Sequence, residues 1–209
     1  MSNYYIGESK NITLQQRGEV DNDKWVDLGL SVLWASRNLG AQLPNNYGDY
    51  YAWGEVTTSP WYNWYSYEFS IYVTDEKPAY WTGAYIGDDI SGTSYDAASK
   101  NWGGGARMPT LDEIKELTEK CTAETGALNG TSGIYFTGPN GNTIFLPFAG
   151  VYGDIQSNYG KSGGYWSSTL YTGGSNAWAY TLSISPNYDP GWGTSMRYYG
   201  KSIRPVKSK

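Results

Sequence analysis

Between Tyr165 and Tyr199 the chain carries six Tyr, six Ser, four Gly and three Trp, but only two charged residues, Asp189 and Arg197. A stretch of this kind belongs to strands and ordered loops, and it has the vocabulary of a binding surface. Tyr and Trp give large contact area with few rotors to freeze, and Ser, Gly and Asn give adaptable hydrogen bonding. Scaffold-like ends, Tyr165-Trp166-Ser167-Ser168 and Ser202-Ile203-Arg204-Pro205-Val206, bracket a polar, irregular middle. That middle is either a recognition site or a loop-rich piece of a β domain.

The whole chain sets the bounds. Its 209 residues suffice for one substantial core. Charged residues make up only 17%, yet 10 Trp and 21 Tyr supply the apolar surface that a disordered chain lacks. The net charge of −5 argues against a nucleic-acid partner, which calls for a basic stripe. Basic residues gather only at the tail (Lys201, Arg204, Lys207, Lys209), where they read as keeping the terminus soluble. One cysteine, Cys121, excludes an intrachain disulfide, and the absence of histidine excludes Cys/His zinc sites and Ser-His-Asp or Cys-His catalysis. No apolar run approaches the roughly 18 residues of a membrane span. The start, MSNYYIGESKNITLQQ, lacks the basic and apolar segments of a secretory signal.

Residues 1–24 are polar and end in Asp21-Asn22-Asp23, which reads as an arm or short extra strand before a ligand-binding domain over 25–209. Short strands are expected at 25–28 and 32–35, around Gly29. Residues 56–93, rich in Trp, Tyr, Ser and Thr without clear period, read as a long ordered loop. A first helix is expected over 95–101, with Asp96 near its start and Gly103-Gly104-Gly105 beyond its end. A second covers 111–121. Thr110 is its N-cap, Glu113 completes a capping box, and Leu111, Ile114, Leu117 and Cys121 form its apolar stripe. Cys121 is thereby a packing residue rather than a nucleophile. Strands at 134–137 and 143–146 flank the hairpin signal Gly138-Pro139-Asn140-Gly141-Asn142. Further strands are expected at 165–168, 177–184, 196–199 and 203–206. In 177–184 the bulky set Trp178, Tyr180, Leu182 and Ile184 is expected to be buried, and the small set Ala177, Ala179, Thr181 and Ser183 exposed or covered by loops. Helices early and strands late indicate an α+β fold.

Four blocks stand in a characteristic order: WVDLGLSVLWASRNLGA (25–41), YGDYYAWGEVTT (47–58), ARMPTLDEIKEL (106–117) with GNTIFLPFAG (141–150), and YWSS…RYYGKSIRPV (165–206). Together they resemble the Fibrobacter succinogenes major paralogous domain, a C-type-lectin-like family abundant in gut Bacteroidetes and their phages. Ala106 departs from the family's usual Trp. The resemblance implies two helices flanking a twisted, mostly antiparallel sheet with long ordered loops. Some members are variable proteins of diversity-generating retroelements, in which a reverse transcriptase rewrites adenines of a C-terminal segment. Such a protein is a stable scaffold with an interchangeable receptor-recognition surface. Without a signal segment, the resemblance points to a phage or prophage protein on a virion or extracellular surface.

On this reading the ligand-binding residues are Leu170, Tyr171, Thr172, Asn176, Tyr180, Ser185, Asn187, Tyr188, Asp189, Trp192, Gly193, Thr194 and Ser195. Adenine mutation of Asn codons does not reach Trp, Met or Lys, so Trp166, Trp178, Trp192, Met196 and Lys201 count as fixed scaffold. Trp192, between two glycines, reads equally as a protruding anchor or a plug over the core. The partner is an external protein or glycan receptor, and no catalytic residue, metal or cofactor is expected. A second reading places carbohydrate on a platform of Trp61, Trp64 and Trp81. A third makes the chain a structural subunit whose residues 169–195 pack on another copy as a homo-oligomer. The carboxylates Glu55, Asp75, Glu76, Asp88, Asp89 and Asp96 lack any EF-hand spacing and read as loop or structural residues. Arg107, Arg197 and Arg204 are expected to lock the scaffold through carboxylates or backbone carbonyls.

Overall fold

The computed structural model describes residues 25–75, 78–153 and 155–209. The expected N-terminal arm, and Glu76, lie outside them. In chain order the elements begin with β1 (Trp25–Asp27), β2 (Val32–Ala35), β3 (Ser70–Val73) and β4 (Tyr80–Gly83). Two helices follow, α1 (Ala97–Asn101) and α2 (Leu111–Lys120). Next come β5 (Thr122–Leu128), β6 (Thr131–Thr137), β7 (Thr143–Pro147), β8 (Val151–Tyr152) and β9 (Gln156–Ser157). The last strands are β10 (Gly163–Leu170), β11 (Trp178–Ser185), β12 (Tyr188–Met196) and β13 (Val206–Ser208). The strands form small antiparallel sheets, ordered β1-β2-β13, β5-β6-β7, β10-β11-β12, β3-β4 and β8-β9. The fold is therefore α+β and mostly β. Among the described residues, no helix is long and apolar enough to cross a membrane.

Local chemistry sets the helices. Thr110 and Glu113 form the capping box of α2, and Arg107 grips Glu113 with both terminal nitrogens at 2.8 and 2.5 Å. Ile114 and Leu117 of α2 are buried against Leu182 and Ile184 of β11 and the inner residues of β2, β6 and β7. Cys121 sits at the margin of that cluster, and burial pushes its thiol up to about 11, as befits a packing residue. A second cluster on the other side of the β10-β11-β12 sheet gathers Trp53, Trp166, Met108, Ile203 and Ala179. This sheet is thus the partition between two cores.

Several expectations are corrected. The 56–93 segment is not all loop: β3 and β4 pair within it, with Tyr72 opposite Trp81. The pairing hides from sequence pattern because this small sheet is half exposed on both faces. β5 lies outside the expected strands because its residues are small or polar and only Leu128 is buried. Its signal was the Asn129-Gly130 turn, whose φ values of 48° and 81° suit a tight hairpin. The strand expected at 196–199 ends at Met196, because Arg197 turns inward to the core. The strand expected at 203–206 starts only at Val206. Ile203 and Pro205 lend single carbonyls to Leu39 and Ala35 instead of joining a ladder.

The face assignment of β11 is also reversed at its first half. Ala177, Ala179 and Thr181 are buried, while Trp178 and Tyr180 are half exposed. The indoles of Trp53 and Trp166 fill the second core so fully that a methyl or hydroxyl is what fits beside them. Only Leu182 and Ile184 turn bulk into the first core.

Candidate functional site

The segment 170–195 is more regular than its composition implies. β11 and β12 form a hairpin closed at Pro186-Asn187, with Trp178 opposite Met196, Tyr180 opposite Thr194 and Leu182 opposite Trp192. β12 contains Pro190, Gly191 and Gly193, which argue against a central strand. Among the described residues it is an outer strand, and the ladder shifts register between Ser183 and Ser185, so Asp189-Pro190 falls where pairing is interrupted.

Directly opposed residues share a face. One face of the hairpin therefore carries Tyr180, Thr194 and Trp192, and Tyr171 joins them from the loop. Tyr171 meets Tyr180 edge-on at 5.7 Å between centroids, and Tyr180 meets Trp192 edge-on at 6.0 Å. Lys115 of α2 holds its ammonium 5.4 Å over the Trp192 ring. Trp192 is 50% exposed, so it is neither a free protrusion nor a plug. The three rings make a braced row on the surface.

The other named residues are dispersed. Asn187, Tyr188 and Asp189 project at the hairpin end, with Tyr188 81% exposed. Gly193 and Ser195 lie on the opposite face from Tyr180. Thr172 is on the exposed loop, and Asn176 gives its carbonyl to Arg197 Nη1 at 2.8 Å. Leu170 is corrected outright: it is 2% exposed and belongs to the second core, so it offers no contact to a ligand. Ser185 has its Oγ buried without a partner.

The tryptophan platform exists in part. Trp64 and Trp81 stack nearly parallel at 6.4 Å, and Tyr65 and Tyr72 lean on Trp81 at 5.1 and 4.8 Å. Trp64 is held from within by Tyr67 and Tyr198, whereas Trp61, Tyr65 and Tyr72 are exposed. The carboxylates do not converge. Asp96 caps α1 and Asp89 closes a turn at Ser91. Glu55 is buried, accepts from the Glu68 amide at 2.8 Å, and is held above the usual carboxylate range by desolvation. Among the described residues, no three His, Cys, Asp or Glu side chains group as metal ligands.

The arginines lock the scaffold as expected. Arg197 donates to the carbonyls of Ala84 and Asn176 and lies 4.5 Å over the Trp53 ring. The tail residues differ from expectation: Lys201 and Arg204 are buried, and only Lys207 and Lys209 reach solvent. The β10 backbone beside Tyr165 approaches Ser202, and Tyr51 pairs with Lys201 through both backbone bonds, which draws this segment inside. Burial pushes the Lys201 amine down to about 8.

A depressed amine in the folded state contributes stability above its unfolded value of 10.5, and that contribution is lost as pH falls through about 8. Near neutral pH the buried charge therefore costs stability. Lys201→Met is expected to raise the unfolding free energy by about 2 kcal/mol at neutral pH, with the gain shrinking toward about pH 9.5. Urea denaturation of both proteins across that range checks it.

The burial of Lys201 is not apparent from the sequence. A weak hint is its place in Gly200-Lys201-Ser202-Ile203, beside the apolar end of the chain. Compared with protein-family models, curated proteins and solved structures, the chain matches none.

Proposed function

We propose that this chain is a non-enzymatic recognition protein whose contact surface is the part of the β11–β12 hairpin that carries Tyr180 and Trp192. The observation that carries this is the partly exposed row Tyr171–Tyr180–Trp192, braced by Lys115, with Tyr180 and Trp192 set on paired strands. Aromatic anchors on a rigid frame lose little entropy on binding, and small polar neighbours such as Thr194, Asn187 and Asp189 adapt to the partner. The frame we infer is C-type-lectin-like. In support, the first and last described strands both pair with β2, so the two ends of the domain meet. The partner is an external protein or glycan receptor, met from a virion or extracellular surface, and display in several copies raises a modest single-site affinity.

Binding of labelled protein to candidate host cells tests this. Trp192→Ala and Tyr180→Ala are each expected to weaken attachment by roughly tenfold or more, while Glu119→Gln on the exposed side of α2 leaves it unchanged. Equal attachment by all three variants would sink the proposal. At the gene, a neighbouring reverse transcriptase and a near-copy of the 165–206 coding segment differing at adenines would make the surface a diversified one. Their absence would leave a fixed recognition module.

A second reading, carbohydrate stacking on the β3–β4 region, is favoured by the exposure of Trp61, Tyr65 and Tyr72 around Trp81. Glycan binding that is lost in Trp61→Ala and Tyr72→Ala, but kept in Tyr180→Ala, would select it.

A further inference from the structure

Lys201 does not fit a purely structural account. Its backbone is pinned to Tyr51 through both hydrogen bonds, and its side chain runs over the Trp166 ring, with Nζ 5.4 Å from the centroid. It is 7% exposed, yet among the described residues it has no carboxylate within ion-pair distance, and its amine shift has desolvation as its one cause. A buried cation normally carries a partner, because the desolvation cost is otherwise uncompensated. Arg197 and Arg204 follow that rule in part by spreading their charge over backbone carbonyls, whereas Lys201 does not.

The amine instead borders an open cavity of about 420 Å³. Gly164 lies against Lys201, since a Cβ there would stand 2.6 Å from Nζ, so the glycine leaves the amine its room. The wall also includes Ser162, Ser183, Ser185 and Tyr188, and the buried Ser185 Oγ has no partner. The volume is within the range of small-molecule sites, about 300–1,000 Å³. One charged group without an anionic partner, the Lys201 ammonium, therefore lies at this recess, and Ser185 contributes to its wall.

We propose that this cavity is a subsite for a single carboxylate carried by the ligand, held by the Lys201 ammonium. A uronic acid of a glycan and an Asp or Glu side chain of a protein share this chemistry. One lysine balances one negative charge. Asp189, which borders the same cavity, and the chain's net charge of −5 repel any anion, and a phosphate dianion about twice as strongly as a carboxylate. The subsite lies beside the hairpin end where Tyr188 and Asp189 project. It rests on the recognition reading only in assigning the carboxylate to that same ligand.

The test uses the full chain, isotope-labelled, with small probes and no receptor. Sodium glucuronate, the α-amide of N-acetyl-aspartic acid (N-acetyl-aspartamide, with its side-chain carboxylate free) and neutral methyl glucoside are titrated while the Lys201 side-chain signals and the Gly164 and Ser183 amides are followed by NMR. One or both carboxylates are expected to shift all three sites saturably, and the glucoside to shift none. Lys201→Met is expected to fold and to bind at least roughly tenfold more weakly. Gly164→Ala, which displaces the amine, is expected to weaken binding severalfold. Glucuronate alone binding assigns a glycan source, N-acetyl-aspartamide alone a protein source, and both alike a site that reads only the carboxylate. No saturable shift with either carboxylate, an equal shift with the glucoside, or undiminished binding by Lys201→Met would overturn the proposal. Failure of the Trp192 and Tyr180 cell-binding test would leave these probe results standing, so the two readings fail separately.

Discussion

Arg204→Ala is expected to lower the free energy of unfolding by about 3–5 kcal/mol. Arg204 is 1% exposed and, among the described residues, has no carboxylate partner. Nε donates to Asn38 Oδ1 at 2.8 Å, Nη1 to the Ala35 carbonyl at 3.1 Å and Nη2 to the Phe145 carbonyl at 2.7 Å. These acceptors belong to β2, the loop after it, and β7, so one planar fork ties two sheets to the C-terminal segment. Truncation strands three buried acceptors and leaves a void where an extended side chain stood. Burial pushes the guanidinium down to about 10, which leaves it protonated at neutral pH. Arg204→Lys is expected to recover less than half of the loss, since an ammonium cannot span three acceptors in a plane. Urea denaturation followed by tryptophan fluorescence measures both.

Asp96→Ala is expected to cost a similar amount, about 3–4 kcal/mol, through a different route. Its fully buried carboxylate accepts five hydrogen bonds. Oδ1 takes the amides of Ala98 and Ser99 at 2.8 and 3.1 Å, and Oδ2 takes the Gly92 and Met108 amides and the Ser99 hydroxyl at 2.8, 2.9 and 3.0 Å. It therefore caps α1 and fastens that helix to the turn before it and to the strand-like Arg107-Met108 segment. Asp96→Asn keeps the shape but points an NH2 group at donors, so about half the loss is expected to remain. Hydrogen exchange should show protection lost over 92–108 before the rest of the domain. Exchange spread evenly over all sheets would contradict the local role.

The sequence was most legible where a local rule and burial agree. α2 was readable to within one residue at its C-terminal end, because Thr110, Glu113 and the stripe Ile114–Leu117 all point the same way. The hairpin at Gly138-Asn142 was legible for the same reason. What failed had a weak local signature or none. β12 looks like a loop because Pro190, Gly191 and Gly193 violate strand propensity, and only its position outside β11 accommodates them. The faces of β11 exchange roles midway because one half meets two indoles and the other meets α2, a tertiary fact that alternation cannot encode.

The candidate surface was legible as composition and not as geometry. Tyr171, Tyr180 and Trp192 do adjoin, but the sheet puts Gly193 and Ser195 behind them and buries Leu170. Lys115, which braces Trp192 from another element, carried no signal at all. Lys201 read as a solubilising tail charge because a window of neighbours shows polarity and not depth.

The composition of β12 has a consequence for self-association. Among the described residues β12 has a neighbour on one side only; such a strand is a template on which a strand of another molecule can dock, and a flat aromatic one is a hazard at high local density. Pro190 removes one amide from that template, and the shift in register near Ser185 bends its start away from regular pairing. Gly191 and Gly193 present no side chain on the reverse face, where a Cβ would meet nothing within 4 Å, so a docking strand would find little to pack upon. Many copies crowded together could thus keep their aromatic rows available without zippering to one another. The residues that disguise this strand in the sequence are those that keep it single.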